Sequence, residues 1–139
     1  MNMVFTSESP VREGDVVGDK YAVDAVIGHG GMGVVVAARH VELGQRVALK
    51  FMLPRALAIP GAVERFLREA RSAVQLQSQH VARVYDVGRL PSGTPYLVME
   101  LLQGCDLGSL VQQSGPLRVV DAVEYLIQAC EAVAEAQPV

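Results

Sequence analysis

A chain of 139 residues, half of them hydrophobic, is long enough for one ordinary domain and too apolar for a disordered or purely linking role. Its formal net charge is -3, with 12 Lys and Arg scattered among 15 Asp and Glu, which gives no global attraction to nucleic acid or to anionic lipid. No stretch approaches the roughly 18 apolar residues of a membrane helix, and the first residues lack a basic start leading into an apolar run. We therefore expect no nucleic-acid partner, no membrane and a cytoplasmic setting. Cys105 and Cys130 form neither a metal pattern nor a redox pair, and are expected to be reduced and packed.

Residues 1–18 are rich in Ser, Glu, Gly and Pro and read as a flexible leader with room for a short edge contact. Over 21–27 the apolar positions Tyr21, Val23, Ala25 and Ile27 alternate, which predicts a half-buried strand. A glycine-rich turn follows, Gly28-His29-Gly30-Gly31-Met32-Gly33. Valines over 34–38 then favour a second strand, because branched Cβ atoms restrict the side chain in a helix. Glu42-Leu43-Gly44 turns the chain into a third strand over 45–52, ended by Pro54. Over 62–76 the period changes: Val63, Phe66, Leu67, Ala70 and Val74 recur three and four apart, with arginines off that stripe, so an amphipathic helix is expected. Strand character returns over 81–87 and 96–102, joined through Pro91, Ser92, Gly93 and Pro95. Asp106 can cap a short helix carrying Leu107, Leu110 and Val111, which Gly115-Pro116 stops. A longer helix carries Val123, Leu126, Cys130 and Val133. Three strands, a helix, two strands and two helices make an α+β fold.

The glycine turn by itself suits a plain hairpin, a dinucleotide-binding turn or a phosphate cradle. In a dinucleotide fold the third glycine opens a helix, whereas Gly33 is followed by Val34-Val35-Val36, so a strand-turn-strand is the better reading. Such a turn lets backbone amides approach phosphates, and Val35 just beyond can cover a base. Lys50 ends the apolar run Val47-Ala48-Leu49 and is either a surface cation with its stem along the sheet or a phosphate ligand. In the long helix Glu69 has Ala62, Phe66, Ala73 and Leu76 in its own column, so its carboxylate is directed toward the protein and calls for a cation. Lys50 is the natural candidate; a pair with Arg65 on the same helix is the competing reading.

Together these motifs resemble the opening half of a bacterial eukaryotic-type serine/threonine protein kinase domain. The residues that carry the resemblance are Gly28-x-Gly30-x-x-Gly33-x-Val35, Val47-Ala48-x-Lys50, Phe66-Leu67-Arg68-Glu69, Val81-Ala82-Arg83-Val84-Tyr85-Asp86-Val87-Gly88, Pro95-Tyr96-Leu97-Val98-Met99-Glu100 and Gly104-x-Asp106-Leu107, in that order. The resemblance implies a small lobe over 19–99, an antiparallel five-stranded sheet with one helix. It also implies a hinge and the first two large-lobe helices over 100–139, truncated before the catalytic loop. It implies ATP as ligand, with the turn from Gly28 through His29, Gly30, Gly31, Met32, Gly33 and Val34 handling the nucleotide. Lys50 would bind phosphates and pair with Glu69 as a supporting catalytic pair. Met99 would be the gatekeeper, Glu100 and Leu102 would offer backbone hydrogen bonds to adenine, and Ile27, Val35 and Ala48 would pack on its faces. No His-Arg-Asp or Asp-Phe-Gly is present, so neither the base nor the Mg ligands are supplied. Asp86-Val87-Gly88 precedes the hinge and is not the magnesium motif. The expectation is a kinase fragment inactive alone, with ATP and either a protein substrate or a complementary large-lobe chain as partners. The alternative is a pseudokinase-like nucleotide-sensing or interaction module.

Overall fold

The structure, a computed structural model, describes residues 9–31 and 33–137. Six strands occur among these residues: β1 Val16–Val17, β2 Tyr21–His29, β3 Gly33–His40, β4 Arg46–Met52, β5 Val84–Arg89 and β6 Pro95–Glu100. They form one antiparallel sheet in the order β1-β2-β3-β4-β6-β5. Four helices accompany it, α1 Pro54–Leu57, α2 Ala62–Val74, α3 Leu107–Ser114 and α4 Val119–Ala136.

Strand periodicity divides the sheet into two faces with different tasks. Val34, Val36 and Ala38 of β3, Val47, Leu49 and Phe51 of β4, and Tyr96 and Val98 of β6 point into one buried core. Burying a side chain the size of Leu49 or Phe51 stabilises the fold by about 1.5–3 kcal/mol, and both are fully buried here. The opposite face follows from the register: Val35 pairs with Lys50 and Lys50 with Leu97, while Ala48 pairs with Ala37 and Met99. Lys50 therefore stands on the non-core face, two residues from Met52, which packs with Ala56 and Ala62 and draws in Leu57, Val63 and Phe66. That small cluster is what lays α2 beside the lysine.

Several expectations need correction. The sheet has six strands rather than five, because β1 pairs with the start of β2. The stretch before residue 19 is part of the folded unit as far as it is described: Val11 and Val17 are core residues. Gly14 N donates to Val23 O at 2.9 Å and Val23 N to Asp15 O at 2.8 Å. In β2 the expected alternation holds at Val23 and then fails, with Ala25, Val26 and Ile27 exposed. Register shifts between Val23 and Ala25 and between Val26 and Gly28 account for it, since each extra residue turns the following side chains over. Pro54 not only ends β4 but opens α1, where its fixed φ suits a first helical turn. Cys105 and Cys130 are free, but exposed rather than packed.

The later elements follow the local signals closely. Asp106 caps α3 by accepting from Ser109 N at 2.8 Å, and Gly115, at φ 80°, ends it. The last turns of α4 reach back to the segment after α2. There Glu135 accepts from the backbone amides of Gln77 at 2.6 Å and Ser78 at 2.8 Å, and Glu131 lies 3.1 Å from His80 Nε2. The apolar side chains of α4, among them Val119, Leu126 and Val133, remain exposed.

Candidate nucleotide site

The glycine turn closes on itself through Gly30 N donating to Gly33 O at 2.8 Å. Gly33 is required by the sheet: it pairs with Met52, and an added Cβ would lie 2.9 Å from Phe51 O. Arg55 of α1 donates from Nε to Gly31 O at 3.1 Å, tying the tip of the turn to the end of β4. Between this turn, β4 and α2 lies a cavity of about 620 Å³. The turn contributes Gly28, His29, Gly30, Gly31 and Gly33, and β3 contributes Val35. Lys50, Phe51 and Met52 come from β4, and Ala62, Arg65, Phe66 and Glu69 from α2. The volume falls within the ~300–1,000 Å³ of small-molecule sites.

The cavity thus unites Gly28, His29, Gly30, Gly31, Gly33, Val35, Lys50 and Glu69 of the expected set. Met32 lies outside the described residues. Alternation turns the side chain of Val34 into the core, where it is fully buried. Ile27, Ala48, Met99, Glu100 and Leu102 do not line the cavity. Ala48 and Met99 share the Lys50 face, one cross-strand pair further along. Glu100 donates its N–H to Arg83 O at 2.8 Å, and its carboxylate accepts from Arg83 N at 3.1 Å. Leu102 is exposed beyond β6.

The expected Lys50–Glu69 ion pair is not formed. Glu69 Oε1 instead stands 4.0 Å from Arg65 Nε, one helical turn back, and its side chain is 71% exposed. The apolar column predicted a carboxylate driven inward, but water solvates it, so no buried charge demands Lys50. Phe51, Met52, Ala62, Arg65 and Phe66 are the lining residues that motif reasoning missed. The period-3.6 row from Ala62 through Arg65 and Phe66 to Glu69 is the signal that could have found those on the helix.

Among the described residues no group of three His, Cys, Asp or Glu could hold a metal ion.

Residues 21–135 match the protein kinase domain model, and the chain belongs to that family. Among curated proteins it is 38% identical over 121 residues to the "Probable serine/threonine-protein kinase PknB" of Corynebacterium glutamicum, covering 85% of this chain and 19% of that protein. It is 36% identical over 118 residues to the serine/threonine-protein kinase PknB of Mycobacterium tuberculosis, covering 83% and 19%. The solved kinase domain of Mycobacterium tuberculosis PknI superposes with a TM-score of 0.77 at 25% identity, over 91% of this chain and 51% of that one. The described residues have the fold of part of a protein kinase domain. It spans about a fifth of the curated relatives it matches.

Proposed function

We propose that these residues are the ATP-gripping part of a serine/threonine protein kinase. The observation that carries this reading is the single cavity in which the glycine turn faces Lys50 of β4 and Glu69 of α2. Lys50 supplies a point charge for the phosphates, the amides of the turn supply directional donors, and Glu69 steadies the lysine once it turns from Arg65. Val35, Ala48 and Met99 form the apolar face for adenine, with Ile27 at its edge and the Glu100 carbonyl and Leu102 backbone as hydrogen-bonding groups. ATP, when bound, supplies the phosphoryl group; the residues here bind and orient it. They offer no base for a substrate hydroxyl and no metal ligands, and positioning with charge stabilisation is nearly all of this catalysis. We therefore assign these 139 residues binding without transfer. The protein substrate is engaged together with a large lobe, in the cytoplasm. No helix among the described residues is long and apolar enough to cross a membrane. The domain reading of a small lobe over 19–99 followed by hinge and large-lobe helices stands as part of the same proposal, with its start moved back to include Val11 and Val17.

Calorimetric titration with ATP tests this. Weak binding that Lys50→Ala weakens a further ten-fold or more supports it, while tight, lysine-independent binding overturns it. Labelled-phosphate transfer by the 139-residue chain alone, lost on Lys50→Met, would overturn the assignment of binding without transfer.

A further inference from the structure

The tip of the glycine turn overhangs the sheet. The β2–β3 ladder ends at His29 and Val34 and the β3–β4 ladder at Gly33 and Met52, so Gly30 and Gly31 lie beyond both. Glycine loses more conformational freedom on being ordered than any other residue. A ligand that needs such a tip in one place binds more weakly by the fraction of the free protein in which the tip is elsewhere. One side chain from another element reaches this tip: Arg55 Nε donates to Gly31 O at 3.1 Å, across 24 residues of sequence. Its backbone is well fixed. Pro54 opens α1 directly after β4, the amides of Ala56 and Leu57 both donate to Leu53 O, at 2.9 and 3.1 Å, and Ala56 is buried with Met52 and Ala62. Arg55 itself is exposed and does not line the cavity, so it acts on the turn from outside the site. A guanidinium has donors enough to keep this contact alongside others.

We propose that Arg55 is a positioning residue for the nucleotide, holding Gly31 O so that the tip of the turn is already in place at the cavity before a ligand enters. The proposal rests on the cavity being the phosphate site. A carbonyl oxygen engaged by Arg55 is also one that does not turn toward phosphate oxygens and repel them, so the effect should fall on the phosphates rather than on the base.

The test combines amide exchange of the ligand-free chain, followed by NMR, with titration calorimetry at fixed ionic strength. The ligands are ATP, inorganic tripolyphosphate and adenosine, and the proteins are the 139-residue chain and its Lys50→Ala, Arg55→Met and Arg55→Lys variants. Arg55→Met keeps a long stem and removes the donors. Without ligand it should quicken exchange at the Gly30 N–H, which donates to Gly33 O, while the amides of β3 and β4 keep their protection. It should weaken ATP and tripolyphosphate about three- to ten-fold, the scale of one hydrogen bond, and leave adenosine unaffected. Arg55→Lys, which can still donate to Gly31 O, should recover part of both losses. Weaker ATP with unchanged exchange at Gly30 would mean that Arg55 acts only as a distant charge, and faster exchange with unchanged affinity that it only steadies the loop. Either result overturns the proposal, as does an equal loss for adenosine. If Lys50→Ala weakens polyphosphate binding but Arg55→Met does not, only the role of Arg55 falls. If the wild type binds no polyphosphate, or binds it independently of Lys50, the phosphate-site reading falls and the proposal with it. Should Arg55→Met lose protection throughout β3 and β4, Arg55→Lys carries the comparison, and its affinity and its Gly30 exchange must shift together.

Discussion

Gly88 and Tyr96 face each other across β5 and β6, and a Cβ on Gly88 would fall within the Tyr96 ring. Gly88→Ala should therefore cost about 1–3 kcal/mol, the range for overpacking a filled site, read as a lowered urea midpoint at unchanged slope. Tyr96 also sets a pH limit. Its phenol is raised above the ordinary value of 10.0 first by burial, then by Tyr21 and by the Asp86 carboxylate. A raised folded value means that this contribution is complete below the unfolded pKa and is lost as pH rises through the folded one. Stability should fall in that alkaline window, and Tyr96→Phe should make the fall shallower in thermal melts across it. Residue types alone located the glycine turn and Lys50, because their spacing is a property of the chain. They did not separate Val34, whose side chain alternation turns into the core, from its neighbour Val35 at the cavity.

Among the elements, α3 shows how a local signal suffices. Asp106 accepts from both the amide and the hydroxyl of Ser109, at 2.8 and 2.9 Å. Its carboxyl lies below the ordinary range chiefly through the Ser109 backbone hydrogen bond. A depressed folded value stabilises above the unfolded pKa and is lost as pH falls through the folded one. Asp106→Ala should lower amide protection across Leu107–Ser114 at neutral pH, and the gap from wild type should close once Asp106 is protonated. A gap that persists in acid would contradict this. The strand bulges of β2 lay beyond such reasoning, because a bulge answers to the register of the neighbouring strand and not to the alternation of its own.

For the whole molecule the decisive junction is between α4 and the segment after α2. Glu135 satisfies the amides of Gln77 and Ser78, and Glu131 faces His80. Glu135→Ala should release this end: hydrogen exchange at Gln77 and Ser78 should quicken and protection along α4 should drop, while β3 and β4 keep theirs. Equal loss in those strands would mean that α4 is integral to the core. Exposed Val119, Val120, Leu126 and Val133 give this helix little apolar burial to hold it otherwise.

What the amino-acid sequence determined by itself is whatever depends on near neighbours: strand and helix periods, the Asp106 cap, the Gly115 stop, and a glycine turn followed by a lysine strand. Tertiary structure decided which of the motif residues share one cavity, that a sixth strand and Val11 complete the core, and that Glu69 leans on Arg65. The physical reason is one of scale. Periodicity and capping are set by hydrogen bonds and side-chain directions within a few residues. The partner of an exposed carboxylate, by contrast, is chosen between solvated cations that differ by less than about 1 kcal/mol. Arg65 is already on the helix, and only the packing of α2 against Met52 and Ala56 lays that helix beside Lys50 as the competitor.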